Sequence, residues 1–381
     1  MNQSLNKKLI RVAHVIDVES SNYYLNNLID FSDPDKVKYI MITFGEESVF
    51  TQEMRARGLE VFIVPADSLK QKFKAVRQIR QILQQTRADI VHTHLFIPSL
   101  IGVRAGQKAG IKTITTRHHS DALYNLSSWL KRKFWLSLEK YVNRKANHII
   151  APSQMVYDIL VQKEQVPASR VSLIPYGQTT ERFDAVTPDM IRATRTELNM
   201  EGKITMVFVA RLFNRKGHTY LFKAMAVLIN DFPQLELCLV GTGPHRELLE
   251  QMAKEEGIAN HVQFLGWRND ALSIMGAADM IVHPSLEDAL SSAVIEAVMM
   301  EKPIVASDIS GVKDSLGNGK YGEIVPPADA KALEEGIRRI LANRPLALEK
   351  EKAGKTYLLE YMAAPRVAAA YISEYEKLMT H

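Results

Sequence analysis

Apolar and polar positions alternate along this chain in two successive rounds. Short, β-rich apolar runs are separated by longer stretches with helical spacing. In the first round the runs are LIRVAHVID (9–17), KYIMITF (38–44), EVFIV (60–64), DIVH (89–92), KTITT (112–116) and HIIAP (148–152). The second round gives ITMVFVA (204–210), LELCLVG (235–241), HVQFLG (261–266), DMIVHP (279–284), PIVAS (303–307) and GEIVP (322–326). Helical patterns such as 70–85 and 127–146 lie between them. Strands alternating with helices predict parallel sheets joined by right-handed crossovers. Six strands, a break and six more predict two doubly wound α/β domains. An eight-stranded barrel fits twelve strands split by a polar segment poorly. The break falls after VSLIPYG (171–177), which sets the first domain at 1–177 and the second at 178–363. The polar segment 178–202, carrying Pro188, reads as a linker and lead-in to the second sheet. One more helix pattern ends the chain, roughly 364–378 within 364–381, after an interruption around 361–365.

Composition narrows the class. Of 381 residues, 46% are hydrophobic and 24% charged, which excludes a disordered or fibrous chain. No apolar run approaches the roughly 18 residues of a spanning helix. The apolar stretch near the start, 9–16, is short and contains His14, unlike a secretory signal, so export is not expected and the cytoplasm is. The single cysteine, Cys238, fits a reducing compartment and reads as inert core within LELCLV.

Charge is divided unevenly. Residues 1–177 carry 25 Lys and Arg against 15 Asp and Glu, a net +10, whereas the remainder nets −5. The first half is therefore expected to meet an anionic partner: nucleic acid, a membrane surface or a phosphorylated substrate. Nucleic acid is disfavoured, because no sheet pattern interleaves aromatic and basic residues. Lys70, Lys72, Lys74, Arg77 and Arg80 fall along one helix pattern. A second pattern sets Lys131, Arg132, Lys133, Lys140, Arg144 and Lys145 beside Trp129, Leu130, Phe134 and Trp135. Such a helix suits an anionic membrane interface; alternatively its apolar side packs on the sheet and its charges are only solvated.

In doubly wound sheets the loops after strands form the binding crevice. ARLFNRKG (210–217) places Arg211 and Lys216 five residues apart after a strand, and paired cations suit a diphosphate. HPSLEDALSSAVIEAVMM (283–300) ends a strand, passes through a polar loop and starts a helix near Ser291. Ser291 and Ser292 are capping residues whose free backbone N–H groups suit an anion. Asp288 ahead of that helix and Glu296 inside it can accept from vicinal sugar hydroxyls. TTRHHSDAL (115–123) offers His118 or His119 to a sugar hydroxyl or a leaving phosphate. His92 and His94 of DIVHTH read as structural, since no Cys or HExxH pattern supplies further zinc ligands. LVGTGPHRELLE (239–250) has Arg246 where a dinucleotide fingerprint needs glycine, and the Asp33–Pro34–Asp35 string reads as a turn.

These strings together resemble the family-4 retaining glycosyltransferases of the GT-B fold, in which two Rossmann-like domains face across a cleft. The matching pieces are DIVHTH, TTRHHSD, LEKYVNRKANHIIAPSQ and VSLIPYGQTTERF in the first half. ARLFNRKGHTYLFKAM, LVGTGPHRELLE, VQFLGWRND and HPSLEDALSSAVIEAVMMEKPIVASDISGVKDSL follow in the second. The resemblance implies metal-independent, retaining hexosyl transfer from a UDP- or GDP-sugar to a hydroxyl of a glycan or lipid-linked acceptor, without a resident cofactor or metal. Arg211 and Lys216 would hold the diphosphate, and Glu296 the ribose. The loop of Asp288, Ala289, Leu290, Ser291 and Ser292 would hold the transferred sugar and distal phosphate. His118 would contact that sugar, the backbone at Trp267 and Arg268 would frame the base, and the C-terminal helix would pack back on the first domain.

Two departures stand out. The family's paired carboxylates are glutamates eight positions apart; here they are Asp288 and Glu296, the former shorter in reach by about 1.5 Å. The family's glycine pair in the first loop is replaced by VIDVESSNYYLNN (15–27), where backbone cannot approach a ligand as closely. A non-catalytic nucleotide-sugar-binding protein of the same fold and a sugar-nucleotide epimerase are the alternatives.

Overall fold

A computed structural model describes residues 9–66, 68–118, 128–288 and 290–380. The chain divides into two compact units, Met1–Gln178 with Met362–His381, and Thr179–Tyr361. Each is built on one parallel sheet.

In the first unit the strands are β1 (Ile10–Ile16), β2 (Val37–Phe44), β3 (Glu60–Val64), β4 (Ile90–His94), β5 (Lys112–Thr116), β6 (His148–Ala151) and β7 (Val171–Leu173). They pair in the order β3-β2-β1-β4-β5-β6-β7. The second unit orders β8 (Ile204–Val209), β9 (Leu235–Val240), β10 (Val262–Gly266), β11 (Met280–His283), β12 (Ile304–Ser307) and β13 (Glu323–Val325) as β10-β9-β8-β11-β12-β13. Central strands are apolar without alternation because both their faces are covered: β1 is buried at every position but Arg11, and β11 and β12 at all four. Strand order reverses between β1 and β4 and again between β8 and β11, so the loops after these strands flank the binding crevice of each sheet.

All twelve expected strands are present, and three readings need correction. The run 171–173 is not the edge of a break but a seventh strand, pairing with β6 through Val171, Ser172 and Leu173. Strand β4 runs two residues past the expected 89–92, so that His94 lies inside it with His92. The segment 178–202 is not a linker: it holds helices Glu181–Asp184 and Pro188–Glu197 within the second unit. Pro188 starts the latter helix at its first position, where no N–H is needed, and Thr187 caps it by accepting from Met190 N at 3.3 Å. Leu198 and Met200, just beyond that helix, are buried. Asp33–Pro34–Asp35 is a turn, with Asp35 N donating to Asp33 Oδ1 at 3.0 Å. Cys238 is fully buried, and burial pushes its thiol up to about 12.

The final helix, Ala364–Thr380, belongs to the first unit. A parallel bridge between Gln178 and Ala363 sets its start. It buries Val367, Tyr371 and Tyr375 among Val12, Tyr39 and Met41 of the first sheet, and the Tyr24 hydroxyl donates to that of Tyr371 at 2.8 Å. Helix Leu69–Gln85 starts in a capping box, in which Ser68 Oγ accepts from Gln71 N at 3.2 Å and Gln71 Oε1 from Ser68 N at 2.8 Å. Helix Trp129–Lys145 buries only Glu139, Val142 and Asn143 among its residues. Its first turns leave Trp129, Leu130 and Phe134 exposed at 61%, 62% and 58%. Among the described residues, no helix is long and apolar enough to cross a membrane.

Candidate active site

The loops after β8 and β11 are locked together at the point where the second sheet reverses. Gly217, at φ +75°, approaches Pro284 so closely that a Cβ would stand 1.9 Å from its carbonyl oxygen, which no side chain tolerates. Leu286 N donates to Arg215 O at 2.8 Å, adding a backbone latch. The loop after β9 joins from the other side: Leu212 N donates to Thr242 O at 2.9 Å, and Gly243 has no room for a Cβ beside Leu212. This packing brings Lys216 Nζ to 3.0 Å from Asp288 Oδ2, with both side chains largely buried. Arg211 projects outward, its guanidinium carbon 4.8 Å from the Phe213 ring centroid. One candidate cation, Lys216, is thus paired with the candidate carboxylate, while Arg211 stays exposed on the same loop.

The expected helix start is present as Ser292–Met299, with Ser291 at the N-cap position. Ser291 is buried and its side chain makes no capping bond among the described residues, and the N–H groups of a helix start are the kind of donors that suit an anion. The Leu290 side chain is buried too, which leaves only its backbone to serve a ligand. Ala289 lies outside the described residues. Glu296, within the helix, accepts from Arg182 Nη1 at 2.8 Å. Burial raises its carboxyl above the usual range, and the Arg182 charge opposes that shift.

Sequence reasoning missed Arg182. Its signal is the ERF of VSLIPYGQTTERF, a family-matching string whose end falls in the polar segment 178–202. Also missed was His283, the last residue of β11, buried with Nε2 4.0 Å from Asp288 Oδ2. Burial lowers it to about 4 against the pull of Asp288, so it is neutral beside the Lys216–Asp288 pair at neutral pH. Trp267 is 74% exposed, its indole N–H donating to Asn269 at 3.1 Å. The Arg268 side chain is committed to Glu197 and Asp270, each at 2.7 Å, which leaves the backbone there to frame a base.

In the first unit the structure gathers histidines that are scattered in sequence. His14 Nδ1 and His94 Nε2 lie 2.8 Å apart, His94 Nδ1 and His118 Nε2 3.1 Å apart, and His118 Nδ1 lies 2.6 Å from the Tyr176 hydroxyl. His92 instead bonds Tyr375 and Thr116, both at 2.8 Å. His14, in an apolar strand run, supplies the third ligand-type nitrogen that the DIVHTH pair lacked in sequence. The ring nitrogens of His14 and His94 nevertheless face each other in hydrogen bonds. Burial depresses all three, His14 to about 3. Both ring nitrogens of His118 are engaged within its own unit. In the glycine-poor first loop, Asn22 Oδ1 caps helix Tyr23–Asp30 by accepting from Leu25 N at 3.1 Å, so a side chain occupies that donor.

Comparison with known proteins identifies the arrangement. Residues 24–182 match Glycosyltransferase Family 4, and residues 191–357 match Glycosyl transferases group 1. The chain is a family-4 glycosyltransferase. This glycosyltransferase is 25% identical over 304 residues to EpsD of Bacillus subtilis, which carries a glycosyltransferase name, covering 78% of this chain and 79% of that one. It is 23% identical over 315 residues to the 2-deoxystreptamine glucosyltransferase of Streptomyces kanamyceticus, covering 80% and 81%. Its fold is GT-B, as in Anabaena Alr3699/HepE, a structure solved in complex with UDP: the TM-score is 0.82 at 19% identity, covering 97% of this chain and 100% of that one.

Proposed function

We propose that this glycosyltransferase moves a hexosyl group, with retention of anomeric configuration and without a metal ion, from a nucleoside-diphosphate sugar to an acceptor hydroxyl. The observation that carries the proposal is the locked pair of loops at the reversal of the second sheet, which holds Lys216 against Asp288 four residues ahead of helix Ser292–Met299. In the reaction the bond from the sugar C1 to the diphosphate oxygen breaks, and a bond from C1 to the acceptor oxygen forms. The acceptor proton passes to the departing phosphate oxygen on the same face. Charge grows on the diphosphate as the bond breaks, and Arg211, Lys216 and the N–H groups at Ser291 and Ser292 are the donors that answer it. Asp288 and the backbone of 288–292 orient the sugar, and Glu296 accepts from the ribose hydroxyls. The backbone at Trp267 and Arg268 frames the base, and His118 keeps the sugar contact that the family resemblance gives it.

UDP- and GDP-sugars are the candidate donors, and the UDP bound by the Anabaena protein makes UDP-sugars the first to try. The acceptor we favour is a lipid or lipid-linked glycan at the inner face of the cytoplasmic membrane. Support comes from helix Trp129–Lys145, where exposed Trp129, Leu130 and Phe134 adjoin exposed Lys131, Arg132 and Lys133. The test is a screen of nucleotide sugars for thermal stabilisation, followed by transfer to glycan and lipid-linked acceptors with the product anomer read by NMR. Inversion at C1, or turnover to an epimerised nucleotide sugar without an acceptor, would overturn the reading.

A further inference from the structure

The chain of imidazoles in the first unit has a direction. His14 and His94 sit on β1 and β4, the adjacent strands between which the first sheet reverses, and His118 follows β5. His14 and His94 are fully buried. At the inner end, His14 Nε2 is buried and has no hydrogen-bond partner among the described residues. At the outer end, His118 and Tyr176 are half-buried.

Each contact between neutral rings needs one N–H and one lone pair, so the whole chain is polarised in one sense or the other. In one sense His14 Nδ1–H donates to His94 Nε2, His94 Nδ1–H to His118 Nε2, and His118 Nδ1–H to the Tyr176 oxygen. The inner end then carries only a lone pair. In the opposite sense every donor points inward, and an N–H is stranded at His14 Nε2 with no acceptor. Leaving a strong donor buried without an acceptor is a heavier loss than leaving a lone pair unused, so the outward sense is favoured.

We infer that His14 and His94 are positioning residues, a buried relay that fixes His118 as the neutral Nδ1–H tautomer and aims its N–H at the Tyr176 hydroxyl. Protonating His118 at Nε2 would collide with the N–H that His94 offers there. Relieving the collision requires reversing both inner rings and stranding the N–H at His14. The Tyr176 oxygen, already accepting from His118, directs its own hydrogen to a different acceptor. The inference rests on the proposed function only for what the oriented His118–Tyr176 pair serves.

The experiment is long-range proton–nitrogen correlation NMR on the full chain labelled with 15N-histidine, which distinguishes the two tautomers ring by ring. His14, His94 and His118 should all be Nδ1–H, the form free histidine disfavours. His94→Asn, which keeps an amide donor where Nδ1 stood, should preserve the His118 tautomer. His94→Gln and His94→Phe should release it to a mixture, whereas His92→Phe, outside the relay, should leave it unchanged. An Nε2–H or averaging His118 in the wild type overturns the relay, whatever the variants do. Stoichiometric zinc held by His14, His92 and His94 in the purified protein overturns it as well. Because the spectrum needs no substrate, the expected tautomer in a protein without transferase activity would refute the proposed reaction and leave the relay standing.

Discussion

Lys216 and Asp288, on loops that follow different strands of the second sheet, form an ion pair at 3.0 Å. A diphosphate arriving at Lys216 competes with a carboxylate already in place, so the pair holds the ammonium in position but opposes the ligand's charge. Lys216→Ala should cost about 2 kcal/mol or more of transition-state stabilisation, roughly thirtyfold in kcat/KM. Asp288→Ala should leave affinity for the free nucleoside diphosphate unchanged or tighter, because the competing anion is gone, while transfer falls. Asp288→Glu should be tolerated. Calorimetric titration with the diphosphate and steady-state kinetics separate the two effects; nucleotide affinity lost on Asp288→Ala would count against this division of roles.

Glu296 and Arg182 make the second pair. Burial favours the neutral acid at Glu296, and Arg182 resists that. Glu296→Ala should weaken binding of the nucleoside diphosphate by removing the acceptor for the ribose hydroxyls. Arg182→Met should weaken it too, by letting Glu296 hold a proton, and the loss should shrink as pH rises. Titration across pH 6 to 8.5 reads this directly, and an affinity indifferent to both substitutions would remove the ribose role.

On the proposed reading, Arg211 and Lys216 supply the positive charge that a metal would otherwise bring to the leaving group. Chelation should leave transfer unchanged, and added magnesium or manganese should change it less than twofold. Complete loss on chelation with rescue by either ion would sink the metal-free mechanism.

The sheets were legible because parallel strands buried on both faces read as unbroken apolar runs, and the loops after β8 and β11 because their polar strings follow such runs directly. What escaped depended on tertiary placement. β7 has three residues and ends two residues before Pro175, too short to register as a strand. Arg182 meets Glu296 across 114 residues, from a segment whose polarity imitates a linker. His14 looked like one polar interruption in a strand, because nothing in local spacing shows that β1 and β4 become neighbours.

The histidine cluster makes stability sensitive to acid. His14, held at about 3 when folded, takes a proton near its ordinary value once unfolded. A depressed folded value contributes stability that is fully present above about pH 6.5 and is lost as pH falls toward 3. At pH 5 His14 alone should account for about 2 kcal/mol of lost stability. His92 and His94, which burial lowers in the same direction, add to that loss, and the tyrosines around them stay neutral throughout. Urea midpoints should drop steeply from pH 7.5 to 5, and His14→Asn should flatten the slope; equal slopes in both proteins would show that His14 is not held neutral.

Helix Trp129–Lys145 offers its first turns to something outside its own unit's core. Trp129, Leu130 and Phe134 are each more than half exposed, while Lys131, Arg132 and Lys133 are exposed beside them. An aqueous surface gains nothing from three large apolar side chains in a row of cations, but a membrane interface accepts the rings at headgroup depth and the charges among anionic phosphates. Each basic residue near such a surface contributes about 1 kcal/mol, so this turn alone favours binding by about 3 kcal/mol before the rings are counted. Cosedimentation should therefore require anionic lipid, weaken as salt rises, and fall by more than tenfold when Lys131, Arg132 and Lys133 become Glu. Trp129→Ala with Phe134→Ala should weaken it with little change in salt dependence, because those side chains act through burial and not through charge. Equal recovery in the supernatant with neutral and anionic vesicles at low salt would leave a water-soluble acceptor as the substrate class to pursue.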